Sequence, residues 1–169
     1  IEKFGFDILK IASASALDFN LHERVVKNRI PKIISTGGIK IDDIDKIVSF
    51  YSKKNQKFAI MHCVSIYPTE NKKLNLKFIQ NLKDRYNDIP IGWSTHEDPG
   101  ENLPGAIALA FGASIFEKHI GIESRKYPLN RYSITPTKLD KWLESFSKSK
   151  FMIGKYEKDI FNEEISTIK

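Results

Sequence analysis

Short apolar runs with strand character recur along this chain roughly every 25 to 30 residues, and an amphipathic helical pattern follows each. The runs are residues 7–12 (DILKIA), 31–35 (PKIIS), 57–63 (KFAIMHC), 90–94 (PIGWS) and 114–120 (SIFEKHI). Apolar residues at a spacing of three or four predict helices over 17–28, 41–54, 75–86 and 135–149. In the last of these Thr135 is placed to cap and Pro136 to occupy the first turn. Residues 102–112 are apolar almost all round, which predicts a well-buried helix. Strand-then-helix repetition predicts parallel βα units. No G-x-G-x-x-G follows the first strand, which disfavours a dinucleotide-binding sheet. The spacing suits a (β/α)8 barrel, a TIM barrel, of the α/β class. Five strands do not close such a barrel, which typically takes about 250 residues. The expectation is therefore a partial barrel, only about the last five βα units, over residues 1–154. Residues 155–169 are charged and weakly periodic and read as a tail or the start of a linker. The abrupt opening, a helical turn stopped at Gly5, suggests that further barrel units precede it.

Bulk properties exclude little but point one way. A chain of 169 residues can bury a sizeable core. One cysteine, Cys63, leaves no internal disulfide, so a cytoplasmic location is expected. No apolar run approaches a membrane span. The net charge of +6 comes from scattered lysines rather than a stripe, so no nucleic-acid partner is expected.

In α/β folds of this kind the functional face lies at the C-terminal ends of the strands. Every strand end here turns polar. The first offers Lys10, Ser13 and Ser15. The second runs into Ser35-Thr36-Gly37-Gly38, where small residues let backbone amides approach an anion. The third carries His62, Ser65 and Tyr67, and the fourth Ser94, Thr95, His96 and Glu97. The fifth carries Glu117, Lys118 and His119. His96 and His119 sit at matching places on successive strands, so their imidazoles should be neighbours able to share a divalent metal. Alternation sends Glu117 and His119 into the barrel and Lys118 toward the helices. Glu117 then either orients a neighbour or forms an interior ion pair. His22, on a helix face, reads as a surface residue, and His62 as a core histidine.

In this order, KIAS, PKIISTGG, HCVSIYPT, GWSTHE and FEKHIG resemble the sialic acid synthase (N-acetylneuraminate synthase) family. LNRYSITP, before the last helix, is similar to the segment that follows in that family. The resemblance covers residues 8 to about 150. It implies a (β/α)8 barrel, usually followed by a small antifreeze-like domain, and a homodimer for the full-length protein. It implies a transferase that condenses phosphoenolpyruvate with an N-acetylhexosamine aldehyde, metal-assisted, in carbohydrate biosynthesis. The metal, Mn2+ or Mg2+, falls on His96 and His119. The phosphoenolpyruvate contacts fall on Lys10, Ser13, Ser35 and Ser94, with Ser65 where the family commonly has Asn. Tyr67 matches a sugar-contacting tyrosine. Two positions depart from the pattern. Ser15 stands where the family has a sugar-binding Glu, and Asn130 where it has an acidic residue. The phosphoenolpyruvate half is kept and the sugar half altered, so the acceptor is N-acetylmannosamine or a related acyl-sugar.

Two other readings compete on the same fold. Lys10 or Lys118 could form a Schiff base in a metal-independent aldolase, which borohydride trapping would reveal. A non-catalytic sugar-binding barrel would bind an acyl-sugar without releasing phosphate.

Overall fold

The computed structural model describes residues 4–168. Five strands run β1 (Leu9–Ile11), β2 (Lys32–Ser35), β3 (Phe58–Cys63), β4 (Ile91–Thr95) and β5 (Ile115–Lys118). All neighbouring pairs are parallel, and the sheet order is the chain order, β1-β2-β3-β4-β5. A doubly wound sheet reverses its strand order at a switch point. A barrel does not, so the sheet is a half-barrel.

A helix follows each strand: α1 (Phe19–Val25), α2 (Ile41–Lys53), α3 (Lys77–Arg85), α4 (Leu103–Ala110) and α5 (Pro136–Ile153), with α6 (Asn162–Ile168) directly after α5. Single 3-10 turns lie at Ser13–Ser15 and Asn71–Lys73. Asp18 caps α1 by accepting from the Leu21 amide, and Thr135 caps α5 by accepting from Lys138, with Pro136 in the first turn. Four of the strands are shorter than the apolar runs that announce them, and β4 is shifted by one residue. The expected helical turn ahead of Gly5 falls largely on residues outside the described ones, while Gly5 itself has a φ of 68°, as a helix-stopping glycine does.

The outer face of the sheet carries the core. Ile34, Ile60, Ile91 and Trp93 pack with Ile44, Ile47, Tyr51, Ile79, Leu82 and Ala108 of the helices. These residues are removed from water almost completely, and each isoleucine or leucine among them contributes about 1.5–3 kcal/mol of transfer free energy. The inner face is built in layers. The register aligns Ser35, Met61, Gly92 and Ile115 at one level, and Cys63, Ser94 and Glu117 at the next. Gly92 is required there: a Cβ would stand 2.2 Å from the Met61 sulfur and 2.6 Å from the Ile115 carbonyl.

Two expectations are corrected here. His22 is fully buried rather than on the surface. Its Nδ1 lies 2.7 Å from the Tyr51 hydroxyl and its Nε2 2.9 Å from the Ala16 carbonyl. With both ring nitrogens satisfied, the imidazole can enter the core and pack among Phe19, Phe50 and Tyr51. Helix α4 is buried on one side alone. Pro104, Gly105 and Ala108 are covered, but Leu103 is 66% exposed. Its apolar excess is not matched by a second covering layer among the described residues. Residues 155–161 form no regular element, and α6 is exposed along its length.

Candidate active site

The polar strand ends converge on a cavity of about 730 Å³ on the inner face. Of the candidate residues, Lys10, Ser13, Ser35, Ser65, Tyr67, Ser94, His96, Glu117, Lys118 and His119 border it. Asn130 does not. Its side-chain oxygen instead accepts from the Tyr132 amide at 3.2 Å, holding the loop before α5. Ser15 lies in the Ser13–Ser15 turn and is also outside the lining. His62 faces α3, where Nε2 lies 2.8 Å from the Leu74 carbonyl and the ring packs on Phe78. It is the core histidine that its apolar setting suggested, and burial pushes its imidazole below the usual range.

The floor of the cavity is anionic and cationic at once. Lys10, on β1, forms an ion pair with Glu117, on β5. Ser94 donates to the same Glu117 oxygen at 2.7 Å. Burial would raise the Glu117 carboxyl, but the hydrogen bonds from Lys10 and Ser94 outweigh it and hold the carboxyl below its ordinary range. The interior ion pair is thus one of the two roles foreseen for Glu117. The wall formed by the β2 turn is tight. Ser13 Oγ accepts from the Gly37 amide at 2.9 Å. Ser35 Oγ is buried without a hydrogen-bond partner, an unsatisfied hydroxyl in the lining.

At the rim His96 and His119 stand with ring centroids 5.2 Å apart and planes tilted by 48°. They occupy the level just beyond Ser94 and Glu117, past the last paired residues of β4 and β5, Thr95 and Lys118. Nδ1 of His96 lies 3.3 Å from the Val64 carbonyl. A carbonyl can only accept, so Nδ1 carries the proton and Nε2 keeps its lone pair for a ligand. Burial, partly offset by that carbonyl, lowers the His96 imidazole below its usual range, and neighbouring His119 acts in the same direction. A neutral imidazole is what a metal requires. Among the described residues no group of three His, Cys, Asp or Glu side chains gathers for a metal, so two imidazoles would hold it and oxygen ligands would complete the shell.

Tyr132 is the site residue that strand-end reasoning missed. It follows β5 in a loop, outside any strand, yet its ring stands edge-on to His119 at 5.0 Å and 5.2 Å from Tyr67. Tyr67 in turn packs 4.3 Å from His96. The four rings enclose the rim. A tyrosine shortly before the α5 cap was the available signal, since that loop must return across the strand ends.

The two lysines proposed for Schiff-base chemistry are both engaged. The Lys118 ammonium is buried on the helix side against Glu97, and Lys10 is ion-paired with Glu117. A Schiff-base lysine has to be neutral and to face its carbonyl substrate.

A five-stranded half-barrel with a cationic, serine-lined floor and a histidine pair at the strand ends is the layout of a barrel enzyme's C-terminal face. The model of the NeuB family matches residues 1–158, and the chain belongs to that family. It is 35% identical over 133 residues to an N-acetylneuraminate-9-phosphate synthase of Drosophila melanogaster, covering 78% of this chain and 35% of that protein. It is 34% identical over 124 residues to a pseudaminic acid synthase of Campylobacter jejuni, covering 73% of this chain and 35% of the relative. The crystal structure of an N-acetylneuraminic acid synthetase from Leptospira borgpetersenii, in complex with citrate, superposes with a TM-score of 0.88 at 32% identity. That match covers 99% of this chain and 58% of the other. The chain thus spans about a third of the length of these two curated relatives. Among the described residues no helix is long and apolar enough to cross a membrane.

Proposed function

We propose that this chain carries the C-terminal strand ends of a nonulosonic acid synthase, a transferase that forms a carbon–carbon bond between phosphoenolpyruvate and the aldehyde of an acyl-amino sugar. The observation that supports the reading best is the convergence of Lys10, an unsatisfied Ser35 hydroxyl and the His96–His119 pair on one cavity. The floor suits the enol substrate. Lys10 and the hydroxyls of Ser13, Ser35 and Ser94 offer donors for carboxylate and phosphate oxygens, and the narrow β2 turn at Gly37 leaves space for them. The rim suits the sugar. Tyr67 and Tyr132 supply ring faces and edges beside the imidazoles, and Ser65 a small hydroxyl.

His96 and His119 would hold a divalent cation, Mn2+ or Mg2+. When bound, it supplies Lewis-acid polarisation of the sugar aldehyde. Within that frame the chain's own residues orient the two reactants. The enol carbon of phosphoenolpyruvate adds to the aldehyde carbon, forming the new bond. Water then adds to the resulting oxocarbenium carbon, and phosphate leaves with cleavage of the C–O bond. Glu117, held ionised between Lys10 and Ser94, keeps the Lys10 ammonium over the floor until an anionic substrate competes for it.

The acceptor is an N-acetylhexosamine or a related acyl-sugar. The test is phosphate release from phosphoenolpyruvate by the complete polypeptide, with a panel of acyl-hexosamines, with and without Mn2+ or Mg2+. Release with one acceptor, dependent on metal, supports the reading. Absence of release with every acceptor, or release unaffected by chelator, removes it.

A further inference from the structure

Behind the histidine pair, on the helix side of the sheet, Glu97 and Lys118 form a buried ion pair. Their side chains are 0% and 2% exposed. Glu97 is the chain neighbour of His96, and Lys118 of His119. Side chains alternate along a strand, so the same two stretches of backbone present imidazoles to the cavity and the ion pair to the helices. Helix α5 covers the pair, with the Lys118 ammonium 5.8 Å from the centre of the Trp142 ring.

Stability does not account for this arrangement. A buried ion pair loses hydration that its attraction only partly restores, and an apolar pair of similar volume is often more stable. Neighbouring positions on this face use that solution, with Ile91, Trp93 and Phe116 against the helices. Satisfaction is also incomplete. Glu97 Oε2, Thr95 Oγ1 and Trp142 Nε1 are all buried without a hydrogen-bond partner.

What the ion pair adds is direction. The β4–β5 ladder ends at Thr95 opposite Lys118. Beyond it the backbone of each histidine is tied elsewhere, the His96 carbonyl accepting from Thr69 and the His119 carbonyl from Ile134. Among the described residues no paired position of β4 and β5 lies at the level of the two histidines. The Glu97–Lys118 contact crosses from one strand end to the other at this level.

We propose that Glu97 and Lys118 are positioning residues that hold His96 and His119 at the separation and tilt a shared divalent cation requires. The proposal rests on the reading of the two imidazoles as metal ligands. Glu97 lies outside the cavity lining, and the Lys118 ammonium, although its residue borders the lining, is turned to Glu97.

The test is Mn2+ binding to the complete polypeptide, followed by the electron paramagnetic resonance signal of free Mn2+, with Tm measured in parallel. Lys118→Met and Glu97→Gln should each weaken Mn2+ binding by about 10- to 100-fold and lower Tm. The double variant Glu97→Gln/Lys118→Met removes both charges, so it should recover most of the lost Tm while its Mn2+ affinity stays at least about 10-fold weak. A purely structural role predicts that affinity returns together with Tm, and that result overturns the proposal. So does wild-type affinity in a folded Lys118→Met protein. If the single variants do not fold, the double variant decides. Wild-type protein that binds no Mn2+, or that binds it equally as His96→Ala, sinks the metal reading and the proposal with it. Binding that needs His96 but ignores Lys118 sinks the proposal alone.

Discussion

Lys10 and Glu117 form an ion pair although they stand on the first and last strands of the five-stranded sheet, 107 residues apart. In a flat sheet those strands would be separated by three others. The contact exists because the sheet curls, so that inward side chains of its two edges meet over the cavity floor. It places one cation and one carboxylate together on the floor of the cavity.

Removal of the cation should therefore weaken substrate capture first. Lys10→Met should raise the KM for phosphoenolpyruvate by about 10- to 100-fold, the range of one lost charge-assisted hydrogen bond. Steady-state phosphate release checks this. Lys10 is partly exposed, so Tm should move little. An unchanged KM would show that the substrate phosphate and carboxylate are held elsewhere.

The histidine pair should be required for metal and dispensable for folding. His119→Ala should abolish measurable Mn2+ binding, and treatment of the wild type with chelator should stop phosphate release until Mn2+ is returned. His119 is exposed, so its variant should keep the wild-type circular dichroism spectrum. Calorimetric titration with Mn2+ distinguishes loss of binding from loss of fold.

Gly37 should tolerate no side chain. A Cβ there would lie 2.2 Å from Ser65 Oγ and 3.0 Å from both Cys63 Sγ and Ser13 Oγ. Gly37→Ala should cost about 1–3 kcal/mol through overpacking and reduce phosphoenolpyruvate binding. Urea denaturation gives the first quantity and ligand titration the second. Wild-type values for both would mean that the β2 turn is free to shift.

Acid should destabilise the fold through its buried imidazoles. Burial lowers the folded-state pKa of His62 and of His96 below the unfolded value of about 6.5. The unfolded chain then binds protons more readily than the folded one. The stabilisation from these groups is fully present above about pH 6.5 and is lost as pH falls through their lower folded values. The urea midpoint, measured in chelator, should fall between pH 8 and pH 5. His62→Gln should flatten that fall. An equal slope in the variant would show that His62 does not titrate on unfolding.

The local rules carried the outline. Short apolar runs marked the five strands, and a spacing of three or four marked the helices, because both signals are written into neighbouring residues. The Thr135 cap and the Pro136 start of α5 were legible for the same reason. Alternation alone turned Glu117 and His119 toward the cavity and sent the Lys118 ammonium to the helix side, against Glu97. What no local rule could supply was the set of partners brought together by curvature and by layering. His22 reads as a polar residue on an amphipathic helix, and the structure buries it because Tyr51 and Ala16 satisfy both its nitrogens. Tyr132 lies in a loop with no period to read, and it joins the site because the chain returns across the strand ends before α5. Alternation sends Lys118 toward the helices, but that it meets Glu97 there is decided only by the fold. The sequence by itself determined which residues lie on which strand and face. The tertiary structure decided which of them meet, because burial and pairing depend on elements that are distant in the chain and adjacent after the sheet has curled.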